Sequence, residues 1–455
     1  MLHTLASYIA KVRTWGLKGV WNFFAGKVEA QRLRNYFLEN AARHPCTPSD
    51  EGLTLVAPFH ATYSLGKVMR DFAFRLREAG IPFQAFDTGN KGDSHNSEID
   101  ALITPREEFR IMKYRHVVEL LFGPVPAAEL GLTKAHVAFW EFDSGLLETF
   151  PKLQSSDTVI AMSDFNAAYF RKVLPPSTPV AKILYPFRFT SPALPPAEET
   201  RKRFGIGKDD FVVFFNFDYG SSVFRKNPEG VMRAFAQAFP QTPGTTLVFK
   251  TNRSDEYKAD KERLNDLAKK LGIADRLIAI DAFIPRADVQ ALTACCDTYM
   301  SLHRGEGFGL GIAEAMALAK PVIVADCGST KEFCKNDNAI LIPTKTIHVS
   351  KGQLDHPYYL SVTSCADPDI GVAAEALRRL HDSPELRRQL GEAGKAFIAE
   401  HFSMDNFGKS VREFLSMQQN LTQETNAQEL LDTIHRNSRH FGTINWTRDE
   451  LHERN

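Results

Sequence analysis

The chain has no surplus of either charge: 55 Lys and Arg stand against 55 Asp and Glu in 455 residues. Nothing in that balance calls for nucleic acid, any anion site must be local, and a small partner is expected. Cysteine is sparse. The chain has six, with Cys295 and Cys296 adjacent and no CxxC pair, so neither a metal knuckle nor a disulfide framework is on offer, as befits a reducing compartment. No apolar run approaches the roughly 18 residues that span a bilayer. The N-terminus also lacks a signal-like apolar segment with a small-residue cleavage site. A cytoplasmic chain is expected, in which Asn420-Leu421-Thr422 and Asn445-Trp446-Thr447 carry no glycan. What is present is enough length for two cores of ordinary size plus extensions.

One stretch organises the rest, Met300 to Asp326, reading MSLHRGEGFGLGIAEAMALAKPVIVAD. Thr298 to Leu302 has strand length, Leu310 to Ala319 helical composition, and Val322 to Ala325 is a second β-branched run, which together predict a βαβ unit. Gly305, Gly307, Gly309 and Gly311 lie between the first strand and the helix, interleaved with Arg304 and Glu306. Backbone can approach a ligand closely there, where helix amides point outward, and phosphate fits. Glu306 in the loop and Glu314, eight residues on, sit at different depths of one crevice. Taken alone, the spacing also suits an ordinary strand-to-helix turn whose glycines only permit tight packing, with Glu314 on a solvated face. A retaining hydrolase needs carboxyls about 5 to 5.5 Å apart. This spacing separates them further along one side of a ligand, so they read as binding groups.

EGFGLGIAEAMALAKPVIVAD, led by SLHR, resembles the E-x7-E donor-site motif of retaining GT-B glycosyltransferases of the family-4 type. The resemblance implies an α/β fold of two Rossmann-like domains facing across a cleft, with an N-terminal helical extension and crossing C-terminal helices. Its expected bounds are 1–50 for the extension, 51–190 for an acceptor domain, 191–204 for a linker, 205–370 for a donor domain, 371–417 for bracing helices and 418–455 for a polar tail. It also implies transfer from a nucleotide-diphosphate sugar to a glycan or lipid-linked glycan in polysaccharide or cell-envelope synthesis, with retention and with no cofactor or metal. Glu306 then meets sugar hydroxyls and Glu314 the ribose diol. The amides of Gly307, Phe308, Gly309, Leu310 and Gly311 face the phosphates. Lys226 matches a family lysine on the diphosphate. Many relatives add an arginine earlier in that loop, where this chain has Gly220, so the second phosphate contact falls to Arg225 or Arg304. Phe283 and Ile284 stand where relatives hold the nucleobase. Lys250 either touches the donor or is an exposed strand end.

On the acceptor side the resemblance points to Gly66, with Ser64 and Lys67 beside it, and to Glu141 in Phe139-Trp140-Glu141. Lys67 reads equally as a solvated helix residue. Glu141 either orients or deprotonates the acceptor, or caps the following helix. Two other activities suit the same motif: a nucleotide-sugar epimerase or phosphorylase, and a non-catalytic sugar-nucleotide-binding subunit.

Elsewhere, strands are expected at Leu53 to Ala57, Phe83 to Phe86, Val137 to Trp140, Thr158 to Met162, Phe211 to Phe217, Thr246 to Lys250 and Leu277 to Ile280. Ser163 reads as an N-cap. A hinge is placed at Tyr185-Pro186-Phe187 and Pro192 to Pro196, and a loop at the cleft mouth at Gly89 to Asn96. Helical patterns cover Ile370 to Leu380 and Pro384 to Phe414, followed by a polar tail from Gln418 with one short helical stretch. Lys11 to Arg34 is basic and amphipathic, with Trp15, Trp21, Phe23 and Phe24 on its apolar side. It fits either an anionic membrane surface, which would make the chain peripheral at the inner face, or a helix packed on the first domain.

Overall fold

Strands that read as unbroken apolar runs need a helix on each face, and parallel sheets provide that. The computed structural model describes residues 28–438 apart from 45, 62–63, 90–96, 106–111, 121–124, 151–152, 155, 190–192, 351 and 355–358. It contains two such sheets. The first is built from β1 (Ser49–Ala57), β2 (Phe83–Asp87), β3 (Tyr114–Leu120), β4 (Thr133–Ala138), β5 (Thr158–Ala161) and β6 (Val180–Lys182), in the order β2-β1-β3-β4-β5-β6. The second holds β7 (Phe211–Asp218), β8 (Thr245–Asn252), β9 (Leu277–Asp281), β10 (Thr298–Ser301), β11 (Val322–Ala325) and β12 (Ile340–Ile342), in the order β12-β11-β10-β7-β8-β9. Pairing is parallel throughout both. Strand order reverses between β7 and β10, and a crevice opens at the carboxyl ends of strands at such a switch point. The loops after β7 and β10 are the ones carrying Lys226 and Glu306.

The expected strands are present with shifted ends, and β4 stops at Ala138, leaving Phe139, Trp140 and Glu141 in the loop beyond it. The central strand β3 was not expected. Its sequence, YRHVVEL, breaks the apolar run with His116 and Glu119, both buried. They are accommodated by partners: His116 meets Thr133 Oγ1 at 2.8 Å, and Glu119 accepts the Val125 amide at 3.0 Å.

A two-stranded antiparallel arm, β13 (Thr344–His348) and β14 (Ser364–Pro368), also lay outside the sequence reading. Its connecting residues Val349, Leu354, Tyr359 and Val362 are buried among Trp140, Phe142, Leu146 and Phe170 of the first half. The C-terminal pattern resolves into two helices, Pro384–His401 and Met404–Ser438, so the helix continues past Gln418, where the polar tail was expected to begin. This last helix returns to the first sheet, where Gln418 Nε2 donates to Thr158 Oγ1 at 2.7 Å and Phe407 meets Phe72 edge-on at 5.5 Å.

Tyr185 and Phe187, where a hinge is expected, are packed. The Tyr185 ring stacks on Phe308 with centroids 3.5 Å apart, and Phe187 packs on Phe402 at 5.6 Å. At the N-terminus, a helix over 28–43 buries Leu33 and Phe37 against Val56 and Phe86. Residues 1–27, and with them most of the Lys11 to Arg34 stretch, lie outside the described residues. No described helix is long and apolar enough to cross a membrane.

Candidate functional site

Two short turns meet at the switch point. After β7, Ser222 (φ 66°) caps the single turn Val223–Lys226, and Asn227 (φ 54°) caps Pro228–Ala238 while donating to the Leu302 carbonyl at 2.7 Å. Arg225 and Lys226 are thereby fixed between two caps beside the loop after β10. That loop ends at Gly309 (φ 94°), which opens the helix Leu310–Ala317; the left-handed backbone there favours glycine.

Glu306 sits between the cations. Lys226 Nζ donates to its Oε2 at 2.5 Å, and Arg225 Nη1 lies 3.7 Å away while donating to the Gly305 carbonyl at 3.0 Å. Burial alone pushes the Glu306 carboxyl up, but Lys226 and Arg225 outweigh it and hold it down at about 2. Burial lowers Lys226, so that cation would gain from a second anion.

The deeper glutamate behaves differently. Glu314 Oε1 accepts from Arg286 Nη2 at 2.7 Å, and burial raises its carboxyl despite Arg286 and Lys67. Lys67, far from being a solvated helix residue, is buried and paired with Asp71 on the helix Ser64–Glu78. Its charge acts on Glu314 from the opposite half.

The halves touch at the glycines. A side chain at Gly305 would stand 2.7 Å from the Glu141 carbonyl and 2.8 Å from the Phe142 ring. Glu141 Oε1 accepts from the Tyr359 hydroxyl at 3.1 Å and lies 3.9 Å from Arg225 Nη2. Glu141 thus faces the cation cluster. Asn166 bolts the halves together: its Oδ1 accepts from the Trp140 amide at 2.8 Å, and its Nδ2 donates to Ser329 Oγ at 2.8 Å and to the Gly307 carbonyl at 3.4 Å. Ser163 caps its helix as expected and also meets Ser329 Oγ at 2.9 Å. Beside them Glu332 accepts from Lys182 at 2.6 Å and from the Asp164 amide at 2.9 Å.

Other expected residues are placed differently. Arg304 is held away from any phosphate role: Nε donates to Asp367 Oδ1 at 3.0 Å, Nη1 to the Phe224 carbonyl at 3.0 Å, and the guanidinium covers the Phe224 ring. Lys250 is neither a free donor contact nor an exposed strand end. It is buried, and its Nζ donates to Asn252 Oδ1 at 2.5 Å. The Phe308 ring is packed among Tyr185, Phe333 and Phe402, which leaves only its amide for a ligand.

The space a Gly66 side chain would take is filled by Ala61, whose carbonyl lies 2.5 Å from that point, so the glycine serves packing rather than open room. A Gly311 side chain would meet the Tyr299 hydroxyl at 2.5 Å. Leu310 begins its helix, and Ser64 begins Ser64–Glu78. A side chain at Gly307 would make only ordinary contact with Phe139 and Glu141. Phe283 is 75% exposed and Ile284 half-buried, just before Arg286 in the chain. Most of Gly89 to Asn96 lies outside the described residues.

Residues 196–355 match the family glycosyl transferases group 1. That span resembles a group 1 glycosyltransferase domain. The matched span contains Arg225, Lys226, Glu306 and Glu314, and it ends inside the arm. Among curated proteins, the lipopolysaccharide core biosynthesis mannosyltransferase LpsB of Rhizobium meliloti is 25% identical over 40% of this chain and 48% of its own. A D-inositol 3-phosphate glycosyltransferase of Acidothermus cellulolyticus is 32% identical over 28% of this chain and 29% of its own. The chain thus spans about half or less of the curated relatives it matches.

Solved structures are similar over more of the fold. Anabaena HepE, in complex with UDP and glucose, has a TM-score of 0.56 at 17% identity, over 80% of this chain and all (100%) of that one. Sucrose-phosphate synthase of Thermosynechococcus elongatus reaches 0.57 at 17% identity, over 83% of this chain and 100% of that one. The architecture is GT-B.

Sequence reasoning missed Tyr359, Asn166 and Arg286. Asn166 had a signal, since it follows the Ser163 N-cap at the position whose amide that cap receives. Arg286 and Tyr359 belong to no motif, and only the fold brings them to Glu314 and Glu141.

Proposed function

We propose that the chain is a glycosyltransferase that moves a sugar from a nucleotide-diphosphate sugar to a glycan or lipid-linked glycan acceptor, with retention of configuration and without a divalent metal. One observation carries this reading: Lys226 and Arg225 converge on Glu306 where the glycine loop abuts Glu141 of the opposite half. Two cations, an ionised carboxylate and loop amides meet there where the two halves adjoin.

The donor's diphosphate takes the charge of Lys226, and Arg225 supports it. Charge-assisted bonds of this kind contribute about 1.5 to 3 kcal/mol each. The helix N-terminus after Gly309 adds only about 0.3 to 1 kcal/mol, so the cations dominate. Released from Lys226, Glu306 turns to the sugar hydroxyls. Glu314, with one oxygen on Arg286, offers the other to the ribose, and exposed Phe283 offers its ring face to the base.

The acceptor hydroxyl attacks the anomeric carbon on the face from which the phosphate departs. The carbon–phosphate-oxygen bond breaks as the new glycosidic bond forms, and the acceptor proton passes to the departing phosphate oxygen. Lys226 and Arg225 stabilise the charge that develops there, and Glu141 orients the attacking hydroxyl. The complexes of HepE with UDP and glucose and the mannosyltransferase name of LpsB support the donor class.

The test is a thermal-shift panel of nucleoside diphosphates, followed by mass spectrometry of reactions with the matching sugar donors and glycan acceptors in excess EDTA. A transferred hexose is expected. Binding of no nucleotide, or release of free sugar or an epimer in place of transfer, would reject the reading.

A further inference from the structure

Glu141 belongs to the first half, yet it is held by a residue of the second. The arm formed by β13 and β14 is rooted beside the glycine loop, where Arg304 pairs with Asp367 at 3.0 Å and the Ala366 amide donates to the Arg304 carbonyl at 3.3 Å. From that root it crosses to the loop after β4. Ser361 Oγ donates to the Gly145 carbonyl at 2.7 Å, the Thr363 amide to Ser144 Oγ at 3.3 Å, and Ser364 Oγ to Asp143 Oδ1 at 3.2 Å. The fit is close, because a side chain at Gly145 (φ 82°) would stand 2.8 Å from the Ser361 backbone. The Tyr359 ring is buried edge-on to Phe142 at 5.2 Å and against Trp140 at 5.9 Å, and the Arg225 guanidinium lies 5.7 Å from its centre. The packing therefore aims the hydroxyl at Glu141 Oε1, 3.1 Å away.

We propose that Tyr359 is a positioning residue of the transfer site: the arm of the donor-side half carries it across the groove, where its hydroxyl sets Glu141 for the acceptor. The inference rests on the glycosyltransferase reading for its catalytic consequence, but not for its geometry. Four charged or titratable groups bear on Glu141: Arg225 and Lys226 from the turn after β7, Glu306 from the glycine loop and Tyr359 from the arm. Tyr359 comes from the arm rather than from the turns that carry Lys226 and Glu306; its hydroxyl also bears on Arg225, so altering it leaves the Lys226–Glu306 pair in place. A donated hydrogen bond favours the ionised carboxylate, and losing it moves the Glu141 titration to higher pH.

The decisive variant is Tyr359→Phe, which removes the hydroxyl and keeps the ring that fills the arm's contact. In the full chain, kcat/KM for the acceptor is expected to fall about tenfold, a charge-assisted bond's worth. The donor KM should change less than the acceptor's, since Lys226 is untouched, while the acid limb of the rate profile moves to higher pH. A residue that only packed the arm would lower the rate without moving that limb. Ser361→Ala loosens the same arm without touching Glu141, and should lower acceptor kcat/KM less. Carbon-13 NMR of carboxyl-labelled glutamate, with Glu141 assigned by its absence in Glu141→Gln, reads the titration directly and needs no turnover.

An upward shift of the Glu141 midpoint in Tyr359→Phe supports the positioning role even if the wild type transfers no sugar, in which case only the proposed function fails. An unmoved midpoint, or a wild type that transfers sugar alongside a Tyr359→Phe variant with unchanged acceptor constants and acid limb, overturns it.

Discussion

Glu306 and Glu314 are the same residue type on one loop and helix, yet their surroundings push them in opposite directions. Glu306 is drawn down to about 2 by Lys226 and Arg225, against the burial that would raise it. Glu314 is raised by burial, which Arg286 and Lys67 only partly offset. The difference matches the two tasks that the proposed function gives them. Around Glu306 the charge is paired, one carboxylate holding two cations; in the proposed reaction it yields one of them to a phosphate. Around Glu314 burial raises the carboxyl, and in the proposed reaction that carboxyl need only accept hydrogen bonds from hydroxyls.

Changing each glutamate tests the contrast. Glu306→Gln should lower kcat by about 100-fold or more, as expected when a group at the reacting sugar is lost. Nucleoside diphosphate affinity should hold or tighten in the same variant, because Lys226 loses its resident partner. Steady-state kinetics with calorimetry checks both, and unaltered turnover would remove Glu306 from the sugar. Glu314→Gln should act on the nucleoside alone. Affinity for a ribonucleoside diphosphate falls about tenfold, and discrimination against the 2′-deoxy form is lost; retained discrimination would move the ribose elsewhere.

Their stabilities should also diverge with pH. A carboxyl held below its ordinary 4.5 stabilises the fold above that value, and the benefit is lost as pH falls toward about 2. Glu306→Gln should therefore destabilise at neutral pH, with the gap closing in acid. Glu314 has the opposite sign. Its raised carboxyl binds a proton more readily in the folded chain, so Glu314→Gln should melt no lower than wild type at neutral pH. Thermal melts from pH 7 down to 3 follow both. The smallest effect is expected from Arg304→Ala, which should lower Tm through the arm's root yet leave nucleotide affinity within about twofold, since its partners are Asp367 and Phe224. A large loss of affinity would restore Arg304 to the phosphate site.

Much of the second half was legible because its signals are local. The strand Val322–Ala325, the glycine loop and the helix it opens follow from apolar runs and glycine placement within a short stretch, and the structure differs mainly at the helix's end. The acceptor side was harder. Its central strand β3 hides behind His116 and Glu119, whose burial depends on Thr133 and Val125, partners that no pattern along the strand reveals. Arg304 was misassigned for a related reason, since a basic residue next to a phosphate-type loop looks like a ligand contact until Asp367 is placed beside it. The arm eluded the reading because its connecting residues find their apolar partners only in the other half.

The central claim, that Lys226 grips a donor diphosphate at the lip of this groove, is tested most directly by calorimetry of matched nucleoside mono- and diphosphates on the wild type and on Lys226→Ala. The account predicts that the wild type prefers the diphosphate and that the variant loses about ten- to 100-fold of diphosphate affinity while its monophosphate affinity changes little. A variant that kept the full preference would contradict it.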